Sequence, residues 1–161
     1  MRVLGIDPGL ATMGYGVVDG EGDRLEAVAY GVVRTPAHTP ITERLILLYD
    51  ALRCIVRTHA PEQAAVEELF FATNARTAIS VSQARGVALL ALAQTGLPVA
   101  EYTPLEVKQA TTGYGQADKV QMQEMVRLLL DLDDLPRPDD AADALAVAIC
   151  HLSHSRLAGL G

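Results

Sequence analysis

Three things are scarce in this sequence: basic charge, cysteine and long apolar runs. Its 13 lysines and arginines are outnumbered by 20 aspartates and glutamates, giving a net charge of −7. That balance argues against a generic nucleic-acid binder held by an overall basic surface. The two cysteines, Cys54 and Cys150, lie far apart and lack C-x-x-C spacing, which favours two buried thiols over a disulfide staple or a zinc site. No apolar stretch is long enough to span a bilayer, and there is no basic start followed by an apolar run and a small-residue cleavage site. A soluble, cytoplasmic protein with no membrane partner is expected. Repeats, low-complexity segments and charged tails are lacking as well, and T-G-Y-G-Q-A-D-K misses the G-x-x-x-x-G-K-[ST] spacing of a phosphate-binding loop.

At 161 residues the chain suits one domain spanning 1–161 and is too short for two of full size. Residues 2–7, Gly14–Val18 and Leu25–Val33 read as strands, the last two separated by the turn signal D-G-E-G-D. Leu45, Leu48, Leu52 and Ile55 recur at helical spacing and predict a helix from Ile41 to about His59. Then come a short buried strand in A-A-V-E-E-L-F, a small-residue helix over Thr77–Ala93, a strand in L-P-V-A-E-Y, and helices over Val120–Leu130 and Asp140 to about Leu157. The order β-β-β-α-β-α-β-α-α predicts an α/β fold, a mixed sheet with helices on its faces.

Carboxylates stand at unusual places in this pattern. Asp7 follows the buried run Val3, Leu4, Ile6 and precedes the turn pair Pro8-Gly9. An Asp there can stabilise a turn, but the carboxyl end of a central strand is also where open α/β sheets place ligands. In A-A-D-A-L-A-V-A-I-C every residue but Asp143 is apolar, so the helix should be buried, and Asp140 lies three residues earlier on the same side. Capping accounts for one of Asp139, Asp140 and Asp143, hardly for all three. Glu67 and Glu68 are adjacent in a strand and point to opposite faces, so only one can join the others. Clustered carboxylates repel unless hard divalent cations such as Mg²⁺ or Mn²⁺ hold them together. Two such ions about 3.5–4 Å apart serve phosphodiester hydrolysis, so the residues alone predict a metal-dependent nuclease or phosphoryl-transfer site.

The ordered segments G-I-D-P-G-x-x-x-x-G-Y-G-V, V-E-E-L-F with a following N-A-R, S-Q-A-R-G-V-A, V-K-Q, G-x-x-x-K and D-A-A-D-A-L-A-V-A-I run over nearly the whole chain. Together they resemble the RuvC Holliday-junction resolvases, within the ribonuclease-H-like nucleases. The resemblance implies a five-stranded mixed sheet, an antiparallel meander plus parallel strands, flanked by helices. It implies a Mg²⁺-dependent endonuclease, with Mn²⁺ able to substitute and two ions per site, that resolves four-way DNA junctions by symmetric paired nicks in recombination and repair. Carried over by position, the catalytic and metal-binding acids are Asp7, Glu67, Asp140 and Asp143, which makes Glu68 the spare. The family's basic residues match Lys108 and Lys119, and Phe70, Asn74 and Arg76 are expected to join them in binding DNA; the partners implied are a second copy of the chain and the RuvA and RuvB branch-migration proteins of a bacterial cytoplasm.

Without the four proposed metal ligands the net charge of −7 becomes −3. DNA would then be met by one face carrying clustered cations, with Arg76, Arg85, Lys108 and Lys119 as candidates. Phe70, three residues beyond Glu67 and next to the only other phenylalanine, Phe71, is expected to stack on a base unpaired at the crossover. Competing readings are a ribonuclease-H-like enzyme acting on RNA, a junction binder without catalysis, and a kinase-like module of the actin and sugar-kinase superfold. The last closes two such domains around a nucleotide and does not fit this length.

Overall fold

A computed structural model describes residues 1–68 and 74–159 of the chain. Strands β1 (Arg2–Asp7), β2 (Thr12–Glu21) and β3 (Arg24–Arg34) form an antiparallel meander. Helix α1 (Ile41–His59) leads to β4 (Gln63–Glu67), α2 (Ala75–Gln94) to β5 (Val99–Tyr102), and α3 (Pro104–Thr112), α4 (Lys119–Leu129) and α5 (Asp139–Ala158) complete the order. The five strands make one mixed sheet in the order β3-β2-β1-β4-β5, with β1, β4 and β5 parallel. The expected ribonuclease-H-like architecture is the observed one.

Strand alternation sorts the side chains into two cores. Leu4, Ile6, Ala64 and Val66 pack with Leu48 and Leu52 of α1 and Ala84, Ala88 and Leu92 of α2. Val3 and Ala65 face the other way, toward α5 and the α3–α4 pair. From Ala141 to Leu152, α5 is buried at every position except Asp143, as its composition requires. It lies directly on glycines: a Cβ added to Gly5 would stand 2.1 Å from the Ala144 carbonyl oxygen, and one added to Gly14 would stand 1.9 Å from that of Asp140. No real Cβ fits at such distances, so these two glycines set how closely the helix backbone approaches the sheet.

Three sequence expectations need correction. Helix α3 is additional to the predicted order; it carries no clear apolar periodicity, and its signal is local, a capping box between Thr103 and Glu106 with Pro104 in the first turn. Strand β4 ends at Glu67 rather than running through Phe70, and Phe70 lies outside the described residues. Cys54 is exposed, since two positions past Leu52 the helix turns its side chain outward, whereas Cys150 is buried as expected; both are free thiols. Among the described residues no helix is long and apolar enough to cross a membrane.

Candidate active site

Asp7 ends β1 and Glu67 ends β4, and these strands are parallel neighbours with Ile6 opposite Val66. One residue further along, Asp7 and Glu67 therefore stand side by side at the carboxyl ends of adjacent central strands. Asp7 shares the parity of Val3 and Gly5, and Glu67 that of Ala65, so both carboxylates project from the face that α5 covers. Asp7 is also paired across the meander with Gly14, the residue on which the first turn of α5 rests. The missing side chain at Gly14 thus brings that turn to Asp7.

Helix α5 starts at Asp139 with Pro138 as its N-cap and no side-chain capping bond. Capping accounts for none of its three aspartates. Asp140 and Asp143, three residues apart, turn toward the sheet, and one oxygen from each lies within 4.8 Å of the others and of an Asp7 oxygen. Glu67 stands beside Asp7 on the neighbouring parallel strand and its negative charge acts on the Asp7 carboxyl, although its oxygens lie outside that trio. Asp139 points instead toward α4, accepting from Gln123 Nε2 at 2.9 Å and lying 3.4 Å from Lys119 Nζ.

The charges in this cluster oppose one another. Burial, then the negative charge of Glu67 and the aspartates of α5, pushes Asp7 up to about 9. Burial and Asp143 push Glu67 up to about 7, with Lys108 pulling the other way. Burial raises Asp143 too, against the pull of Lys119. Acids raised in this way hold their protons more tightly, and a bound cation would offset the burial and repulsion that raise them.

Lysines flank one side. Lys119 Nζ is 3.9 Å from Asp143, and although burial disfavours its charge, Asp143 and Asp139 raise its affinity for a proton. Lys108 and Lys119 line a cleft of about 260 Å³ together with Glu67, Asp143, Pro104 and Met122. Of the other residues expected on the DNA face, Arg76 is exposed in the first turn of α2. Asn74 caps that helix, its side chain accepting from the Arg76 backbone N–H at 3.0 Å, a role the N-A-R segment did not disclose. Glu68, just beyond β4, donates its backbone N–H to the Tyr102 carbonyl.

The family described as crossover junction endodeoxyribonuclease RuvC matches residues 3–151. The chain belongs to the RuvC family. A RuvC from Chloroflexus aggregans is 64% identical over 151 residues, covering 94% of this chain and 92% of the relative. One from Desulfitobacterium hafniense is 61% identical over 155 residues, covering 96% and 93%. A solved structure of Thermus thermophilus RuvC in complex with Holliday junction substrate superposes with a TM-score of 0.93 at 38% identity, covering 98% of this chain and 96% of that one. The RuvC assignment and the acid cluster at the strand ends thus rest on independent grounds, one on similarity along the chain and the other on where the carboxylates of Asp7, Asp140 and Asp143 meet, with Glu67 beside Asp7.

Proposed function

We propose that this chain is a crossover junction endodeoxyribonuclease that resolves four-way Holliday junctions, with Asp7, Glu67, Asp140 and Asp143 as its metal-binding and catalytic set. The observation that carries the reading is the convergence of carboxylates from β1, β4 and α5 at one end of the sheet. The donor set suits hard divalent cations: it offers only carboxylate oxygen, no thiolate or imidazole, and burial with mutual repulsion raises Asp7, Glu67 and Asp143, a cost that a bound cation would relieve. Mg²⁺, or Mn²⁺ in its place, held by these four residues would supply activation of water and stabilisation of the leaving oxygen during phosphodiester hydrolysis. Strands β1 and β4 hold Asp7 and Glu67 on a rigid sheet, and the buried helix α5 aims Asp140 and Asp143 at the same point, so the site is organised before substrate arrives. Lys119 balances the charge of Asp143, and with Lys108 presents cations to a phosphate entering the adjoining cleft.

The test is incubation of the purified protein with a synthetic four-way junction, with and without Mg²⁺ or Mn²⁺. Divalent-dependent nicks at matching positions in two strands support the reading; binding without nicks favours a silent junction binder, and cutting confined to RNA-containing substrates favours an RNA enzyme. Lys108→Ala and Lys119→Ala should each weaken junction binding and flatten the salt dependence of log K by roughly one unit. An unchanged slope combined with a large loss of cutting would place the lysine beside the reacting phosphate instead.

Two matched nicks in a two-fold junction call for two related sites, hence a homodimer. The exposed face of α2 offers the apolar residues Ile79 and Leu90, 61% and 52% exposed, with Gly86 between them. Leu90→Asp is expected to shift the protein toward monomer in sedimentation and to uncouple the two nicks, while a dimer of wild-type strength would place the interface elsewhere. The RuvA and RuvB proteins remain the proposed partners on family grounds.

A further inference from the structure

The acids form a ridge between two clefts. On one side lies the cleft of Lys108 and Lys119; on the other, a cleft of about 220 Å³ is lined by Asp7, Pro8, Glu67, Glu68, Val81, Arg85 and Pro104, and it shares Glu67 and Pro104 with the first. Among the described residues, Arg85, from α2, is the only cation lining the second cleft. Its guanidinium is largely shielded, with 21% of the side chain exposed, and Nη2 donates to Glu101 on the edge strand β5. Its Nε is buried and has no hydrogen-bond partner among the described residues. A shielded donor with no partner is costly to leave unmet, and such a group calls for an explanation, of which a ligand in the cleft is one.

We infer that Arg85 holds a backbone phosphate of the cleaved strand on the side of the acids opposite Lys108 and Lys119, so that the strand crosses the carboxylate ridge from one cleft to the other. Arginine suits this place because its planar fork serves two acceptors at once. Glu101 occupies one end of the fork and orients it, leaving the rest for phosphate oxygen. Glu101 is therefore a positioning residue: 42% exposed, it pairs with Arg85 and is not one of the clustered acids. A purely structural Arg85–Glu101 pair would tie α2 to β5 without leaving a donor unsatisfied beside the catalytic acids.

The inference rests on the proposed junction-cutting function, and the experiment separates the two. A set of four-way junctions is made in which single phosphates flanking the cleavage position are replaced one at a time by uncharged methylphosphonate. Binding to wild type, Arg85→Gln and Glu101→Gln is measured by fluorescence anisotropy at fixed salt without divalent cations. In wild type, neutralising the phosphate that faces Arg85 should weaken binding by about tenfold or more, the range of a charge-assisted hydrogen bond. In Arg85→Gln that particular penalty should vanish while penalties at phosphates facing the lysines persist. Glu101→Gln, an exposed edge-strand change that leaves the fold intact whether or not Arg85→Gln does, releases the guanidinium from its competing carboxylate and should enlarge the same penalty by about twofold or more. The strand path is overturned if no single phosphate loses its penalty in folded Arg85→Gln, or if Glu101→Gln leaves every penalty at its wild-type value. Failure of wild type to nick the unmodified junction with Mg²⁺ or Mn²⁺ present would instead overturn the function itself.

Discussion

Asp7→Asn is expected to bind four-way junctions with near wild-type affinity and to lose at least about a hundredfold in nicking rate. The substitution keeps the side chain's shape but removes the charge at the centre of the cluster, where Glu67, Asp140 and Asp143 all act on it. It should also stabilise the protein when divalent cations are absent. Burial and neighbouring charge raise Asp7 from the ordinary carboxylate range to about 9, so its contribution to stability is complete below that ordinary range and is lost as pH rises toward 9. The amide cannot ionise and escapes this loss. In EDTA at pH 8 the variant should melt a few degrees higher than wild type, on the order of 1–2 kcal/mol, and the gap should narrow toward pH 5. Nicking at a near-normal rate would remove Asp7 from the chemistry. A lower melting temperature at every pH would mean that the carboxylate serves the turn at Pro8-Gly9 after all.

Gly14→Ala is expected to damage the site without touching any acid. Its Cβ would stand 1.9 Å from the Asp140 carbonyl oxygen and 3.2 Å from the Asp140 Cβ, and the opposing atoms closest to it are backbone, which cannot rotate away. The first turn of α5 must lift from the sheet, carrying Asp140 and Asp143 away from Asp7. Overpacking of this kind costs about 1–3 kcal/mol or more, read as a fall in melting temperature of several degrees. The diagnostic readout is the rise in melting temperature on adding Mg²⁺ or Mn²⁺: wild type should show it and Gly14→Ala should lose most of it. A variant that melts lower yet keeps the full metal response would show that α5 tilts about its first turn rather than lifting.

Much of this was legible in the sequence, because the governing signals are short-range. Leu4 and Ile6 alternating with Val3 and Gly5 fix which face Asp7 takes, and the same parity rule separates Glu67 from Glu68. The apolar run around Asp143 announced a buried helix. The rest depends on contacts between distant residues. Nothing within G-Y-G-V says that Gly14 and Gly16 lie under α5, and nothing near S-Q-A-R-G says that Arg85 meets Glu101. Asn74 illustrates a different limit, since an Asn before a helix serves capping and ligand contact with the same atoms, and only the observed bond to the Arg76 N–H reveals the first. Helix α3 escaped because its evidence lies in its cap rather than in a periodic apolar face.

The register that brings Asp7 beside Glu67 joins residues sixty positions apart, and the other two acids arrive a further seventy or more along, on α5. On the ribosome these parts emerge in that order, so for most of its synthesis the chain carries β1 and β4 with one face of the sheet bare and two of the four proposed metal ligands still to come. Domains of this kind gain their long-range contacts late and together. Docking of α5 covers the bare face and supplies Asp140 and Asp143 in the same event. A nascent or half-folded chain should therefore lack the proposed metal site, which is complete only in molecules whose core is already closed.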